Sequence, residues 1–353
     1  MLETVVVGSL PKPGWLAPRT ERALSWRLGE DLLAEGMDDA VRLALADQEE
    51  AGLDVVTDGE ERRRHYIWGF CEGLSGLDFS SLVQIVTRGG RYGSRVPAPR
   101  IVGPLRRLRP VMLDALRFAR AHTSKPVKVT LPGPMTCADS VADEHYGSRR
   151  ELAEAFAAVL NEEACELAEA GCAVVQFDEP CFNIYLDELE DWGLDTLQRA
   201  AHGVRAATGV HICYGYGIPA VLAWKTRNTD WTHYERSLPL LRTSTIDQIS
   251  VECAASGVDP AVLARTAGKD LLVGVIDVGT EDVETPETVA DRIRAVLPHV
   301  APERLHPSTD CGLVPRSREA ARGKMRALAE GARLVREDLT RASPSPGGTR
   351  PPR

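Results

Sequence analysis

Three separated stretches of the chain, His211-Ile212-Cys213, Val251-Glu252 and Asp310-Cys311-Gly312, each close what reads as a β-strand. Together they offer one imidazole, two thiolates and one carboxylate. That is a complete ligand set for Zn²⁺, which favours N and S donors in roughly tetrahedral array. Residues two apart on a strand face the same way, so His211 and Cys213 can bind one ion while Ile212 faces the opposite side. Each piece taken alone has a plainer use. Cysteine is among the most buried residue types and packs as a small hydrophobe, so a lone His-x-Cys or Cys311 also suits a packed strand end. Glu252 alone also suits a solvated loop. The arrangement of all four on different strands of one predicted barrel is what points to Zn²⁺.

The elements that must position these residues alternate along the chain. Short runs rich in Val and Ile are followed by segments of helical periodicity, the βαβα rhythm of a parallel sheet or barrel. Eight core strands are predicted: Thr4 to Gly8, Asp54 to Asp58, Val127 to Leu131, Val174 to Asp178, Val210 to Cys213, Gln248 to Glu252, Leu271 to Asp277 and Leu305 to Thr309. The expected fold is therefore an α/β (β/α)8 TIM barrel. The clearest helix runs from Arg150 to Ala170. There Leu152, Phe156, Val159, Leu160 and Leu167 mark one face, and Glu151, Glu154, Glu162 and Glu163 lie largely elsewhere. Gly171 is its expected C-terminal cap.

Two segments interrupt the rhythm. Leu82 to Pro104 reads as a β-hairpin excursion after strand 2, with strand-like pieces at Val83 to Thr87 and Arg100 to Val102. Excursions of this kind tend to cover an active site. Gly215 to Asp247 is a long connection after strand 5, carrying Trp224, Trp231 and Tyr234, with room for a helix and a lid. These aromatics suit either packing or a stacking wall. Residues 1–339 are expected to form one catalytic barrel, and residues 340–353, rich in Pro, Ser, Gly and Arg, a disordered tail.

Composition sets the outer limits. The 353 residues, 43% hydrophobic and 26% charged, suit a globular enzyme, and the net charge of -9 argues against a nucleic-acid surface. The tight basic triplet Arg62-Arg63-Arg64 is expected on a solvated helix face. No run of about 18 apolar residues appears, so a cytoplasmic protein that does not span a membrane is expected. The eight cysteines lack paired spacing, which favours reduced thiols over a disulfide scaffold. Of these, Cys71, Cys137, Cys165, Cys172, Cys181 and Cys253 are expected to be structural.

Polar residues gather where a barrel keeps its chemistry, at the C-terminal strand ends: Ser9, Asp58 with Glu60, Asp178 with Glu179, His211 with Cys213, Glu252, Asp277, and Asp310 with Cys311. Several of these belong to longer motifs. Val7-Gly8-Ser9-Leu10-Pro11, Asp58-Gly59-Glu60, Tyr92-Gly93-Ser94-Arg95, Gly133-Pro134-Met135-Thr136, Gln176-Phe177-Asp178-Glu179-Pro180, His211-Ile212-Cys213-Tyr214 and Asp310-Cys311-Gly312-Leu313 follow one another in this order. In that order they resemble the C-terminal catalytic barrel of the cobalamin-independent methionine synthase family. The resemblance spans the chain to about residue 335, and it implies a short, single-barrel form of the family.

The resemblance implies roles residue by residue. His211, Cys213, Glu252 and Cys311 match the zinc ligands, with Glu252 the one expected to yield when a substrate thiolate arrives. Ser9, Glu60 and Asp178 match positions that hold the amino-acid end of homocysteine; Glu60 and Asp178 face its ammonium, and Asp178 and Glu60 are the implied catalytic carboxylates. Ser94 and Arg95 resemble hairpin positions that reach the folate donor. A free thiol has a pKa of about 8.5, and binding to Zn²⁺ favours the thiolate. The expected reaction is zinc-dependent transfer of a methyl group to homocysteine.

The donor side departs from the family pattern. The family's folate-protonating histidine falls on Gly279, and its pterin-stacking tryptophan falls on Ser140. Asp139 or His145 could supply a proton instead, or the donor is a methyl-corrinoid rather than a methyl-folate, free or carried by a partner protein. Two other uses of the same metal site stay open: a thiol alkyltransferase that opens an epoxide with a coenzyme M-type thiol, and a non-catalytic zinc-binding barrel.

Overall fold

The computed structural model describes residues 1–18, 25–91, 93, 95–216 and 219–342. Among them the strands are β1 (Val56–Thr57), β2 (Leu74–Val86), β3 (Arg95–Arg107), β4 (Val127–Pro132), β5 (Ala142–Asp143), β6 (Val174–Asp178), β7 (Ala207–Ile212), β8 (Gln248–Val251), β9 (Asp270–Ile276) and β10 (Leu305–Thr309). Seven of these make one parallel sheet in the order β1-β4-β6-β7-β8-β9-β10. Helices cover its outer side, so residues such as Leu271, Val273, Val275 and Ile276 of β9 are buried whichever way they point.

The predicted first strand takes the eighth position in an unusual way. Val5 makes a single parallel bridge to Ser308 of β10, while the Thr4 carbonyl accepts the N–H groups of Asp54 and Val55, each at 3.1 Å. The segment thus joins the two edges of the sheet. It is not a regular strand because side chains take its ladder groups. Lys128 Nζ donates to the Val6 carbonyl at 2.7 Å, Gln176 Nε2 to the Val7 carbonyl at 3.0 Å, and the Val7 N–H donates to Thr309 Oγ1 at 3.1 Å. The result is a (β/α)8 barrel, as the alternation of strands and helices predicts.

The excursion is longer than the predicted Leu82 to Pro104. β2 and β3 pair antiparallel from Leu74 through Arg107, and β5 joins β3 in parallel. The extra length passes through a bulge at Gly76, whose φ is +88°. A Cβ there would lie 2.6 Å from the Gly103 carbonyl oxygen, so the two chains meet this closely only at glycine.

The helix expected at Arg150 to Ala170 is found at Arg149–Glu169, capped by the Ser148 side chain. Gly171 follows with φ +83°, and the Cys172 N–H reaches back to the Leu167 carbonyl, the 6→1 bond of a Schellman motif. Glu163 departs from its expected polar face. It is fully buried, accepts the N–H groups of Val111 and Met112, and pairs with Arg107 at 2.6 Å, fixing the return of β3 to the barrel.

The Arg62-Arg63-Arg64 triplet also differs from expectation. It lies in a turn after β1, and Arg63 is buried, donating to the Thr130 carbonyl at 2.9 Å and facing Asp58 and Glu60. The long connection after β7 holds two helices, Pro219–Lys225 and His233–Thr243. The final helix, Arg318–Ala342, continues two residues past Thr340, and the rest of the expected tail lies outside the described residues. No helix among the described residues is long and apolar enough to cross a membrane.

Candidate active site

The strands deliver the candidate ligands to one mouth of the barrel. His211 stands at the end of β7 with Cys213 just beyond it, Glu252 follows β8, and Cys311 follows β10 by two residues. His211, Cys213 and Cys311 come together, their ligand atoms all within 4.8 Å of one another, and the two sulfurs are 3.9 Å apart. His211 and Ser250 are register partners on β7 and β8, and His211 Nδ1 lies 2.9 Å from Ser250 Oγ. That bond leaves Nε2 to face the sulfurs. It is buried without a hydrogen-bond partner. An orphaned imidazole nitrogen beside two thiols is a donor set that fits Zn²⁺.

Electrostatics around the trio favour one thiolate. Donation from the Cys311 thiol and the neighbouring His211 imidazole hold Cys213 well below the ordinary thiol range, despite its burial. Cys311 is pushed up in turn by its bond to Cys213 and by burial. Burial opposes protonation of His211, but the Cys213 sulfur more than offsets it and raises the imidazole pKa.

Glu252 is not part of this trio. Its carboxylate is fully buried and forms an ion pair with Lys225, at the end of the helix Pro219–Lys225. It also accepts the Tyr214 N–H at 2.9 Å, and the Tyr216 hydroxyl stands 3.4 Å from it. Asp310, next to Cys311, is buried as well. It accepts the successive N–H groups of Cys253, Ala254 and Ala255 at 2.8 to 2.9 Å and the Tyr216 hydroxyl at 3.0 Å, clamping the loop after β8 against the end of β10.

The carboxylates Asp178 and Glu60 stand in the same mouth. Asp178 is the register partner of His211 across β6 and β7; burial pushes its pKa up to about 6, with His211 pulling the other way. Gln176 Nε2 donates to Asp178 Oδ1 at 2.8 Å, and Lys128 Nζ donates to Gln176 Oε1 at 2.8 Å. Glu60 accepts the Thr130 hydroxyl at 2.8 Å. Ser9 lies against the Cys311 stretch: its carbonyl accepts the Leu313 N–H at 2.8 Å, and a Cβ on Gly312 would fall 1.9 Å from its Oγ. Glu179, at the same strand end as Asp178, serves the scaffold by accepting the N–H groups of Met135 and Thr136 at the start of the helix Pro134–Ala138.

The hairpin does reach over this mouth. Arg88 at its tip donates to Asp139 Oδ2 at 2.6 Å and to the Tyr66 hydroxyl at 2.9 Å, and the Gly89 N–H donates to the Tyr185 hydroxyl at 2.5 Å. Asp139 is therefore engaged as a structural anchor, and His145 is exposed. Arg95 is an exposed residue opposite Val86, while Ser94 lies outside the described residues. At the two departures from the family pattern, other aromatics are near. The Trp68 indole N–H donates to the Ser140 carbonyl at 3.2 Å, with its ring stacked on His65 at 4.6 Å. The Tyr216 ring lies 3.5 Å from where a Cβ on Gly279 would stand. In the long connection, Tyr234 is fully buried and ties β7 to β8 by donating to the Ile212 carbonyl and accepting the Glu252 N–H.

Sequence reasoning missed Ser250, Gln176, Lys128, Lys225 and Tyr216. Three of them carry a signal in the two-residue period of a strand. Ser250 precedes Glu252 by two, Gln176 precedes Asp178 by two, and Lys128 precedes Thr130 by two, so each shares the inward face of its successor. Lys225 and Tyr216 lie in the long connection, where no period applies.

Comparison with known proteins agrees with this architecture. Residues 2–334 match the family described as the cobalamin-independent synthase catalytic domain. A protein named methionine synthase from Sulfurisphaera tokodaii is 32% identical over 340 residues, covering 96% of this chain and 94% of that protein. One of the same name from Saccharolobus solfataricus is 32% identical over 97% of both chains. The solved structure of a B12-independent methionine synthase from Shewanella sp. W3-18-1, in complex with selenomethionine, superposes with a TM-score of 0.93 at 45% identity, covering 97% of this chain and 99% of that one. A methyltransferase from Methanosarcina mazei, at 16% identity and a TM-score of 0.57, shares the fold. The chain belongs to the cobalamin-independent methionine synthase family, a family of methyltransferases, and matches it through the catalytic barrel.

Proposed function

We propose that the chain is a zinc-dependent methyltransferase that moves a methyl group to the sulfur of homocysteine, with a methyl-folate or methyl-corrinoid as donor. The observation that carries this reading is the buried, unpartnered His211 Nε2 beside Cys213 and Cys311, in a mouth shared with Asp178 and Glu60. His211, Cys213 and Cys311 would hold the ion, and Glu252, whose carboxylate stands outside that trio on Lys225, is the fourth ligand that the family resemblance implies. When bound, the ion supplies the charge that keeps a substrate thiol deprotonated at neutral pH.

The remaining work falls to the protein. Ser250 orients the imidazole through Nδ1. Asp178 and Glu60 offer carboxylates to an α-ammonium, and the backbone beside Ser9 offers a place for the α-carboxylate. The capture of selenomethionine by the Shewanella relative supports an amino acid of this shape as product. The anchored hairpin restricts water at the mouth, and in-line transfer needs the donor held about 3 to 3.5 Å from sulfur. Trp68, half-buried beside Ser140 with its ring stacked on His65, is the aromatic side chain that supports a flat donor. Eight free cysteines support a reducing, cytoplasmic setting.

The test is purified protein with zinc and homocysteine, offered in parallel methyltetrahydrofolate with one and with three glutamates, methylcobalamin and S-methylmethionine. Methionine formed from a folate or a corrinoid supports the reading and names the donor. No methionine from any of them, with zinc bound in equimolar amount, would sink it.

A further inference from the structure

The long connection after β7 places a cation where the barrel's ligand set has an anion to spare. Lys225 closes the helix Pro219–Lys225, its side chain 7% exposed, and its ammonium meets the fully buried Glu252 carboxylate. The same ammonium lies 3.4 Å from the centre of the Tyr216 ring. The Tyr216 hydroxyl in turn donates to Asp310 Oδ2 at 3.0 Å and stands 3.4 Å from Glu252 Oε1. Glu252 Oε2 accepts the N–H of Tyr214, the residue after Cys213. The carboxylate is thus held on one side by Lys225 and on the other by the backbone that carries a candidate ligand.

Stability is a poor explanation for this pair. A buried ion pair often contributes nothing net over apolar side chains of the same size, because both charges lose their hydration. Its place matters more than its strength. Glu252 can answer to two cations, the ammonium of Lys225, with which it forms an ion pair, and an ion held by His211, Cys213 and Cys311.

We propose that Lys225 is a positioning residue of the metal centre: it competes with the ion for Glu252 and so leaves one coordination position open to the substrate sulfur. This rests on the zinc methyltransferase reading above. Removing the ammonium frees Glu252 for the ion, which then binds tighter and yields its position to a thiol less readily.

The experiment measures zinc affinity by chelator competition, with no methyl donor present, and follows the visible spectrum of the cobalt-substituted protein during titration with homocysteine. Lys225→Met is expected to bind zinc at least about tenfold tighter than the native chain. It should also need more homocysteine to reach half of the spectral change. Lys225→Arg, which keeps the cation, should restore native values. In a Glu252→Gln background, Lys225→Met should change neither quantity, since the carboxylate for which the two cations compete is gone. Where Lys225→Met does not fold, Lys225→Gln keeps a donor for Glu252 and carries the same expectation. Native zinc affinity in the folded Lys225 variant overturns the proposal alone, and so does tightening that persists without the Glu252 carboxylate. A native chain that binds no zinc removes the methyltransferase reading as well.

Discussion

Ser250 Oγ lies 2.9 Å from His211 Nδ1, across two parallel strands whose register sets the residues side by side. The serine decides which nitrogen of the imidazole is free, and the free one is the buried Nε2. Outer partners of this kind typically contribute about 10–100-fold in metal affinity. Ser250→Ala is therefore expected to weaken zinc binding by that factor while leaving thermal unfolding nearly unchanged. Equilibrium dialysis against a zinc buffer reads the first, calorimetry the second. Undiminished affinity would show that Ser250 does not set the ring.

Cys311 and Cys213 share a sulfur–sulfur contact of 3.9 Å at the ends of strands that are not neighbours in the sheet. A catalytic ion between them can be removed without loss of fold, whereas a closed structural site holds the chain folded. Cys311→Ser is expected to lower zinc content and abolish methyl transfer, with the circular dichroism spectrum and unfolding midpoint preserved. Full metal content and activity in that variant would falsify the ligand assignment.

Asp178 is held in place by Gln176, which Lys128 holds in turn. If its carboxylate receives the ammonium of an amino-acid thiol, Asp178→Asn should raise KM for homocysteine by about 10- to 100-fold, with a smaller effect on kcat. A thiol that lacks an amine should be used equally well by both forms. An unchanged KM for homocysteine would instead favour a substrate without that amine.

Trp68 meets Ser140 through its indole N–H, at the wall where the family resemblance expects an aromatic. A lost stacking contact of about 0.5–1.5 kcal/mol corresponds to roughly a 2- to 12-fold weaker donor. Trp68→Ala should raise KM for methyltetrahydrofolate by that factor and leave KM for homocysteine alone. Equal effects on both substrates would point to general disturbance of the mouth.

What the chain alone makes legible follows from periodicity. Strand ends in a parallel barrel carry its chemistry, so His211, Cys213 and Cys311 were identifiable as soon as their strands were, and the structure brings them together. Glu252 was identifiable by the same rule, but its partner was not. Lys225 lies in a connection whose path depends on the packing of Tyr214, Trp224, Trp231 and Tyr234, which no local pattern encodes. The burial of Arg63 and Glu163 was hidden for a related reason. Charged residues read as solvated until a distant partner, here Thr130 for the one and Arg107 for the other, is placed against them. The first strand was legible as a strand, but its replacement by side-chain bonding was not, because Lys128 and Gln176 reach it from elsewhere in the sequence.

That first segment also carries a pH-dependent link. Asp54 accepts the Thr4 N–H at 2.8 Å and pairs with Arg336 of the final helix, so one carboxylate ties the N-terminal segment, the approach to β1 and the final helix together. Burial pushes the Asp54 carboxyl up, but the Thr4 N–H and the Arg336 guanidinium more than offset this and hold it below its ordinary value. A depressed folded pKa means stability that is fully present above the unfolded value of about 3.9 and lost as pH falls through the folded one. Because the side chains of Asp54 and Arg336 are each about one-third exposed, the contribution is discounted to about 1 kcal/mol. Asp54→Asn should therefore be less stable than the native chain by about that amount at neutral pH. The difference should shrink below about pH 4 and vanish once the native carboxyl is protonated. Urea unfolding across this range measures it, and a difference that persists undiminished in acid would mean that the link acts through packing rather than through the charge of Asp54.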